Sequence, residues 1–330
     1  MIISRTPLRI SFAGGGTDLP SFYEKHGYGA VFSSSVDKYI YVSVKNHCEL
    51  YPEKIRLNYS ETEQINTLDE IQNPIIRECL RLLEIDEHIY ISTVADAPGF
   101  SGLGSSSTFC VGLLHALHVY KGDNVSRGNL AEEAAHIEID VLKRPMGKQD
   151  HYAAAYGGMN YIRFDDNGNT SVTPLSTRGK SSEELFSYIS TYWTGIERNS
   201  ETILAVQDKS NDLNSEVLLQ MRTQALVTYK LANNEKLGIS ELGKIMHEGW
   251  LMKRSLSKKI SNSFISNAYE KALESGAFGG KISGAGGGGF LLLVVPESKK
   301  SNVDSVMEKL GLEQLPLKPD FEGTTVTSIK

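Results

Sequence analysis

The clearest candidate for chemistry in the chain is a glycine- and serine-rich stretch, residues 98–108, which runs directly into the apolar residues 109–119. Its glycines let the backbone approach an anion closely, and the free N–H groups and dipole of the following helix favour negative charge. Serines at such a helix start can cap the helix, donate to phosphate oxygens or hold a magnesium ion. A flexible linker or an ordinary helix cap is the alternative, because the stretch lacks the G-x-x-x-x-G-K-[ST] pattern of other phosphate loops.

A second glycine-rich stretch follows the N-terminal segment. Residues 2–12 have the pattern of an extended strand, interrupted by a proline, and they lead into Gly14-Gly15-Gly16-Thr17-Asp18. Glycines at a strand end permit close approach by a ligand, and Asp18 could accept hydrogen bonds from the hydroxyls of a sugar. The alternative is a turn in which Asp18 caps a helix over residues 21–26. Arg9 alternates with apolar neighbours, so its side chain leaves the face that they bury and could be solvated.

A third glycine-rich stretch, residues 279–289, precedes the apolar residues 290–295. Linkers are rarely flanked this tightly by strands, so these glycines indicate backbone that packs against a ligand or another loop. The stretch follows residues 200–275, which have the periodicity of successive helices and predict a second, helix-rich layer.

Two carboxylates between these stretches are candidates for catalysis and metal binding. Asp150 falls in a loop expected over residues 144–151, where a proline and a glycine interrupt helix, and it could act as a general base. A solvated loop aspartate is the alternative. Glu138 lies on a helix whose acids should mostly face solvent, and it is a metal-ligand candidate only if the fold brings it to the phosphates. His151 is expected to be structural or a hydrogen-bonding neighbour, because no second histidine lies at ligand spacing.

The elements that must position these residues are predicted from periodicity and turn signals. Strands are expected over residues 2–12, 36–44, 55–59, 88–94, 159–164, 170–175, 185–193, 290–295 and 324–329, with 55–59 as the neighbour of 36–44. Helices are expected over residues 71–83, 105–122, 129–143, 214–232, 240–256, 263–274 and 301–310.

Composition sets the class of protein. With 330 residues, 40% hydrophobic and 22% charged, the chain has material for one large or two medium globular domains. A net charge of −6 argues against nucleic-acid binding through a broad basic surface. Three scattered cysteines suggest neither a disulfide framework nor a zinc site. Because no signal peptide or long apolar run is seen, we expect a cytoplasmic protein that does not span a membrane.

Together the three glycine-rich stretches identify a family. In order, Pro7-Leu8-Arg9 with Gly16-Thr17-Asp18, the Gly102–Ser106 segment and the Gly284–Gly288 segment resemble the three motifs of the GHMP small-molecule kinases. That family is named for galactokinase, homoserine, mevalonate and phosphomevalonate kinases. Three motifs in the family's order are far more specific than any one. The first motif, with Gly147-Lys148-Gln149-Asp150, is most similar to the kinases of D-glycero-D-manno-heptose 7-phosphate, and fucokinase-type sugar kinases share much of the pattern.

The resemblance implies a two-domain α+β fold with the active site between the domains. Residues 1–177 would form a domain like ribosomal protein S5 domain 2, and residues 178–330 a ferredoxin-like domain, with a soft boundary. The implied activity is ATP- and Mg²⁺-dependent phosphorylation of the anomeric C1 hydroxyl of heptose 7-phosphate. The product, heptose 1,7-bisphosphate, would lead to a nucleotide-activated heptose for surface polysaccharide.

Two alternatives to that activity stay open. A kinase of a neutral sugar, as in fucokinases, is the main one, and a catalytically silent sugar sensor is less favoured because the catalytic acid and metal ligands are present. In each case the expected partners are small molecules, a sugar or sugar phosphate and ATP, with neither nucleic acid nor membrane. The oligomeric state is left open.

The resemblance also implies roles for individual residues. Asp150 would be the base or orienter of the attacking hydroxyl, Arg9 would offset charge on the transferred phosphoryl group, and Ser106 with Glu138 would hold the metal. The residues implied to bind the nucleotide are Pro98, Gly99, Gly102, Leu103, Gly104, Ser105, Ser106 and Ser107. Those implied to bind the sugar are Gly15, Gly16, Thr17, Asp18, Lys148, Gly286 and Gly287. A phosphate on the substrate needs a basic residue nearby, for which the candidates are Lys148, Arg198, Lys253 and Arg254.

Overall fold

The computed structural model describes residues 1–176, 180–197, 200–209 and 214–329 and shows two β-sheets with helices packed on them. The strands are β1 (Ile2–Gly14), β2 (Tyr28–Asn46), β3 (Ile55–Asn58), β4 (Thr62–Ile65), β5 (Ile89–Ala95), β6 (Met159–Asp165), β7 (Thr170–Pro174), β8 (Ile189–Trp193), β9 (Gly279–Ile282), β10 (Phe290–Val294), β11 (Glu313–Gln314) and β12 (Thr325–Ser328). The helices are α1 (Pro20–His26), α2 (Pro74–Leu82), α3 (Ser105–Lys121), α4 (Arg127–Ala135), α5 (Gln149–Tyr156), α6 (Lys180–Ser187), α7 (Ser200–Lys209), α8 (Ser215–Asn233), α9 (Ile239–Leu256), α10 (Ser263–Glu274) and α11 (Lys300–Lys309).

The larger sheet is built around the long strand β2. One edge of β2 pairs with β1, while the other pairs first with β6 and then with β5, so the sheet divides into two arms. The order along the main path is β12-β1-β2-β5-β3-β4, and β7 extends the β6 arm. Antiparallel strands with one buried face fit the alternation seen in the sequence. Helix α3 packs on β1 and β2 and is buried along most of its length.

The smaller sheet has the order β11-β8-β10-β9. Its inner residues form a second apolar cluster with the helices that follow α8, including Trp250 on α9 and Tyr269 on α10. The last strand, β12, belongs to the larger sheet, where it pairs with β1 and Ile2 lies opposite Ser328. The C-terminal strand therefore completes the first sheet, whereas the sequence placed it at the close of the second domain. The predicted domain boundary near residue 177 lies outside the described residues and stays a prediction.

Several predicted elements need correction. Strand β3 is not the neighbour of β2, because β5 lies between them and pairs with β3 in parallel. Residues 185–187, predicted as strand, end helix α6, and the strand begins at Ile189. Apolar pairs of this kind can be buried by either element, so tertiary packing decides.

The segment that carries the two candidate carboxylates also differs from its prediction. Helix α4 begins two residues earlier than expected, after Ser126, whose side chain accepts a hydrogen bond from the Asn129 N–H. The helix then widens into a π-helical turn, His136–Val141, that turns Glu138 inward. Helix α5 begins at Gln149, so Asp150 lies in the first turn of a helix and not in a loop.

Within the described ranges, none of the helices combines the length and the apolar composition that crossing a membrane requires.

Candidate active site

A cavity of about 370 Å³ opens where the three glycine-rich stretches meet. Its walls come from β1, the loop before α3, the loop before α5, helices α7 and α9, and the loop between β9 and β10. The residues that line it include Arg9, Ser11, Gly15, Gly16, Asp18, Gly99, Gly102, Gly104, Ser105, Ser106, Ser107, Arg144, Gly147, Gln149, Asp150, Glu201, Lys253, Gly284 and Ala285. Residues from the whole length of the chain thus line one cavity.

The start of helix α3 forms one wall and has the features of an anion site. Gly104 is the N-cap residue, in a left-handed conformation (φ 82°) that favours glycine, and it supplies no side-chain cap. The Ser105 and Ser107 hydroxyls are buried and have no hydrogen-bond partner among the described residues. Uncapped N–H groups and unpaired hydroxyls at one helix end favour a phosphate there. Leu103 is fully buried, and its carbonyl accepts a hydrogen bond from the Arg9 N–H, which fixes the loop to β1.

Arg9 and Asp150 form a bidentate ion pair on the cavity wall. Arg9 Nε donates to Asp150 Oδ1 at 2.7 Å, and Nη2 donates to Oδ2 at 2.6 Å. The third guanidinium nitrogen, Nη1, donates to the Gly102 carbonyl at 2.5 Å. The Arg9 side chain is only 5% exposed, so the sequence-based alternative of a solvated arginine is wrong. Three fixed hydrogen bonds hold both charged groups in one orientation.

A buried lysine stands behind this pair. Lys281 on β9 is 4% exposed, and its ammonium donates to Ser11 Oγ at 3.1 Å. Burial, together with the positive charge of Arg9, lowers the pKa of Lys281 to about 7. The neighbouring Ser283 hydroxyl donates to the same Gly102 carbonyl as Arg9, at 2.9 Å. The third glycine-rich stretch is therefore tied directly to the loop before α3.

Glu138 is the centre of a second charged cluster. Its Oε1 accepts hydrogen bonds from the Ser106 hydroxyl and from Arg144 Nη1, the latter at 2.6 Å, and its Oε2 lies 2.8 Å from His151 Nε2. The carboxylate is completely buried. Burial alone would raise its pKa, but the hydrogen bonds from His151 and Ser106 and the charge of Arg144 together lower the pKa of Glu138 to about 2. The fold thus brings Glu138 to the helix start, which was the condition for a metal ligand.

Asp18 lines the same cavity. Its Oδ2 accepts hydrogen bonds from the Gln149 side chain at 3.0 Å and from the Gln149 N–H at 3.4 Å. Burial, and secondarily the charge of Asp150, raise the pKa of Asp18. Gly147 packs on this carboxylate so closely that a Cβ at that position would lie 2.1 Å from Asp18 Oδ2. Gly15 and Gly16 line the cavity beside it.

Several residues with predicted ligand roles lie elsewhere. Thr17 is buried and exchanges hydrogen bonds with the Ala30 backbone, and Lys148 contacts Glu132 at 2.8 Å outside the cavity lining. Pro98 is exposed, also outside the lining. Gly286 and Gly287 pack against Ile260, and the neighbouring Gly284 and Ala285 face the cavity instead.

The four residues predicted as candidate ligands of a substrate phosphate lie in different places. Lys253 lies on the cavity wall, where its ammonium donates to the Gly284 carbonyl. Lys148 and Arg254 do not line the cavity, and Arg198 lies outside the described residues. The roles predicted for all these residues stay predictions.

The side chains in and around the cavity that were given no role from the sequence include Ser11, Arg144 and Lys281. A signal did exist for Lys281, because it is the only charged residue in the glycine-rich and apolar run from 279 to 295. A lysine in such a run needs a polar partner inside the protein. Arg144 carried no comparable signal, since an arginine after a helix is usually solvated.

The comparison with known proteins decides the family. The GHMP kinases N terminal domain matches residues 73–158, and the GHMP kinases C terminal domain matches residues 231–314. The chain belongs to the GHMP kinase family. The predicted family, enzyme class and α+β fold are thereby confirmed: the chain is a GHMP kinase, a phosphotransferase of a family that takes ATP as phosphate donor.

Individual relatives cover nearly the whole chain. A D-glycero-alpha-D-manno-heptose 7-phosphate kinase of Campylobacter jejuni is 29% identical over 327 residues, 93% of each protein. A bifunctional fucokinase/GDP-fucose pyrophosphorylase of Arabidopsis thaliana is 24% identical over 89% of this chain but only 30% of its own length. The crystal structure of a D-glycero-D-manno-heptose 1-phosphate kinase from Bacteroides thetaiotaomicron matches with a TM-score of 0.81, at 24% identity over all of both chains. The predicted likeness to heptose 7-phosphate kinases is confirmed by the first of these.

Proposed function

We propose that this GHMP kinase transfers the γ-phosphoryl group of ATP to the anomeric C1 hydroxyl of D-glycero-D-manno-heptose 7-phosphate, giving heptose 1,7-bisphosphate and ADP. The observation that carries the proposal is the buried Arg9–Asp150 pair, which faces the same cavity as the uncapped start of α3. The sugar is taken from the relative that is 29% identical over 93% of both proteins. The product would lead to a nucleotide-activated heptose, and the reaction would take place in the cytoplasm.

The start of α3 is suited to hold the polyphosphate. The helix N–H groups and the hydroxyls of Ser105 and Ser107 can donate to its oxygens, and Gly102 and Gly104 keep the backbone close to them. The exposed Gly99 lies at the mouth of the same loop. Positioning of this kind accounts for most of the rate enhancement in phosphoryl transfer.

Asp150 is the group suited to accept the proton of the attacking hydroxyl. As the C1 oxygen forms its bond to the γ-phosphorus, the bond from that phosphorus to the β-phosphate oxygen breaks, and the hydroxyl proton passes to the Asp150 carboxylate. Arg9 holds that carboxylate by two hydrogen bonds and places positive charge beside the transferred group. Asp18, which Gln149 orients, is suited to accept hydrogen bonds from the sugar hydroxyls.

The residues at the helix start also fit a magnesium ion. Ser106 Oγ and Glu138 Oε1 are in contact, and the low pKa keeps Glu138 ionised at neutral pH, which provides the hard oxygen donors that Mg²⁺ prefers. No group of three or more His, Cys, Asp or Glu side chains arranged for a metal occurs among the described residues. The ion of this proposal would be held by one or two protein oxygens and by phosphates. Such an ion would supply positive charge to the phosphates during transfer.

The proposal is tested by the release of ADP from the purified protein with Mg·ATP. Heptose 7-phosphate is compared with its 7-dephosphorylated form and with fucose, mannose and galactose. We expect kcat/KM for the 7-phosphate to exceed that for each neutral sugar by at least about a hundredfold, because a charged group that binds a basic residue contributes several kcal/mol. Release of ADP with none of these sugars would overturn the proposal.

A neutral-sugar kinase is the second candidate. The match to a fucokinase over 89% of the chain supports it. A second observation also supports it: among the described residues, Lys253 is the only one of the predicted phosphate ligands that lines the cavity. Equal or faster turnover of a neutral sugar in the same assay would favour this candidate. A silent sugar sensor has less support, because the Arg9–Asp150 pair is assembled.

A further inference from the structure

Arg144 occupies an unusual place in the cavity. It follows the π-helical turn, and its Nη1 lies 2.6 Å from Glu138 Oε1 and 2.7 Å from Ser106 Oγ. These are the two oxygens suited to hold a magnesium ion, for which the usual distance is about 2.1 Å. One guanidinium nitrogen therefore already contacts both of the oxygens that would be the metal ligands.

The reason for this arrangement is the complete burial of Glu138. A buried carboxylate without a nearby cation is strongly unfavourable, and Arg144 supplies the positive charge from the open side of the cluster, while His151 contacts the other oxygen. A guanidinium and a divalent cation cannot share the same two oxygens, because their like charges repel.

We propose that Arg144 is an internal cation that occupies the metal site in the nucleotide-free protein. When the metal and the nucleotide bind, Arg144 leaves Glu138 and Ser106 and contacts the polyphosphate instead. The proposal rests on the proposed function, since it presumes that Ser106 and Glu138 hold a divalent cation. It assigns to Arg144 a positioning role that couples metal binding to nucleotide binding.

The local structure permits this exchange. Arg144 lies in a turn, where its carbonyl accepts the Met146 N–H, and its side chain is 21% exposed on the cavity wall. A second carboxylate is within reach on the other side, because Arg144 Nε lies 3.3 Å from Glu201 Oε1 on α7. A guanidinium that leaves Glu138 thus has Glu201 and the phosphates as partners in the same cavity.

The exchange has a thermodynamic consequence. Metal alone must displace Arg144 without giving it a phosphate partner, so it binds weakly. Nucleotide provides that partner, so metal and nucleotide each strengthen the binding of the other by the same factor. Removing Arg144 should increase the affinity for metal alone, decrease the affinity for nucleotide alone, and reduce the coupling between the two.

The experiment measures the binding of Mn²⁺ and of ADP, each alone and together, by calorimetry and by the shift in melting temperature of the full-length protein. In Arg144→Ala we expect Mn²⁺ alone to bind about tenfold more tightly than in wild type, and ADP alone about tenfold more weakly. Arg163→Ala is the matched control, because Arg163 pairs with Asp165 away from the cavity lining and should leave both affinities unchanged.

A second variant guards against loss of folding in Arg144→Ala. Glu201→Gln, at a half-exposed position, removes the alternative partner and should change the affinity for Mn²⁺ alone in the opposite direction, severalfold weaker than wild type. If the wild-type protein binds Mn²⁺ and ADP together but neither variant changes the affinity for Mn²⁺, the role of Arg144 is overturned. The metal site of the proposed function is not affected by that result. If instead Glu138→Gln binds Mn²⁺ with ADP as tightly as wild type does, the metal site of the proposed function fails, and this inference with it.

Discussion

Two arginine–carboxylate pairs lie at the cavity, and they are built differently. Arg9 comes from the middle of β1, and all three of its guanidinium nitrogens are used, two on Asp150 and one on the Gly102 carbonyl. Arg144 comes from a turn, and its contacts are divided between hydrogen bonds to Glu138 and Ser106 and an ion pair with Glu201. The first pair has one geometry, whereas the second has competing partners.

The difference follows from what each pair must do. A group that accepts a proton in the reaction benefits from fixed geometry, because small displacements of reacting groups reduce the rate steeply. A cation that must make way for a ligand needs a second place to go. A long strand paired with β2 gives the first property, and a turn beside a cavity gives the second.

Substituting Asp150 should have the largest effect. Asp150→Asn keeps the shape of the side chain but removes the carboxylate that accepts the proton, so kcat should fall by about a thousandfold, within the range of general-base catalysis. ADP binding should stay within about twofold of wild type, because the hydrogen bonds that hold the Asp150 carboxylate come from Arg9, and asparagine keeps the size of the side chain beside α3. Turnover by coupled ADP release and binding by calorimetry measure the two quantities. Asp166→Asn, in the exposed turn between β6 and β7, is the control, and wild-type turnover in Asp150→Asn would contradict the role of Asp150.

The second pair should be revealed by acid. The pKa of Glu138 is lowered from 4.5 to about 2, so its ionised form stabilises the folded protein above pH 4.5, and that stabilisation is lost as the pH falls from 4.5 towards 2. The free energy of unfolding of wild type relative to Glu138→Gln should therefore decrease by up to about 3 kcal/mol over this range. The raised pKa of Asp18 acts in the opposite direction but is common to both proteins, so the difference removes it.

Urea unfolding at a series of pH values between 6 and 2 measures this difference. Glu297→Gln is the matched control, because Glu297 is 87% exposed and its pair with Lys300 should contribute almost nothing. A difference between wild type and Glu138→Gln that does not change with pH would mean that Arg144, His151 and Ser106 do not stabilise the ionised carboxylate.

Much of this site could be predicted from the sequence, and the part that could not has a common cause. Helix α3 was predicted to within one residue at its C-terminal end, because its glycine caps and apolar run are local signals. The convergence of Arg9 on Asp150, 141 residues away, is a tertiary contact that no local pattern contains, and only the family resemblance pointed to it.

The errors lie where tertiary packing overrides local preference. The π-helical turn that buries Glu138 adds a residue to a helix of ordinary composition, and insertions of this kind leave no clear mark in the sequence. Strand β3 pairs in parallel with β5, which lies between β2 and β3. Strands β2 and β3 are therefore consecutive in sequence but not neighbours in the sheet. Arg144 could not be recognised for the same reason, because its role depends on where that turn directs Glu138.

The fixed pair can be disturbed through the backbone beneath it. Gly104 has φ 82°, and a Cβ there would lie 3.3 Å from both Arg9 Cγ and Asp150 Oδ2. Gly104→Ala should therefore cost about 1–2 kcal/mol of backbone strain and lower kcat/KM about tenfold. Gly99→Ala, in the same loop, is the control for stability, because a Cβ there meets nothing within 4 Å and should leave the free energy of unfolding unchanged. Equal effects of the two substitutions would show that loop flexibility, and not the support of the pair, is what matters.

The smallest effect is expected at an ion pair close in sequence to Asp150 but outside the cavity. Lys148 contacts Glu132, which is 46% exposed, and the Gly168 carbonyl, so Lys148→Ala should change KM for the sugar and the free energy of unfolding little, KM by no more than about twofold. Lys253→Ala, on the cavity wall, should raise KM for a phosphorylated sugar about tenfold and leave KM for a neutral sugar unchanged. Steady-state kinetics with both sugars measures these values. A large increase in KM for Lys148→Ala alone would mean that Lys148 leaves Glu132 when the substrate binds, and would place it with Arg144 among the movable cations.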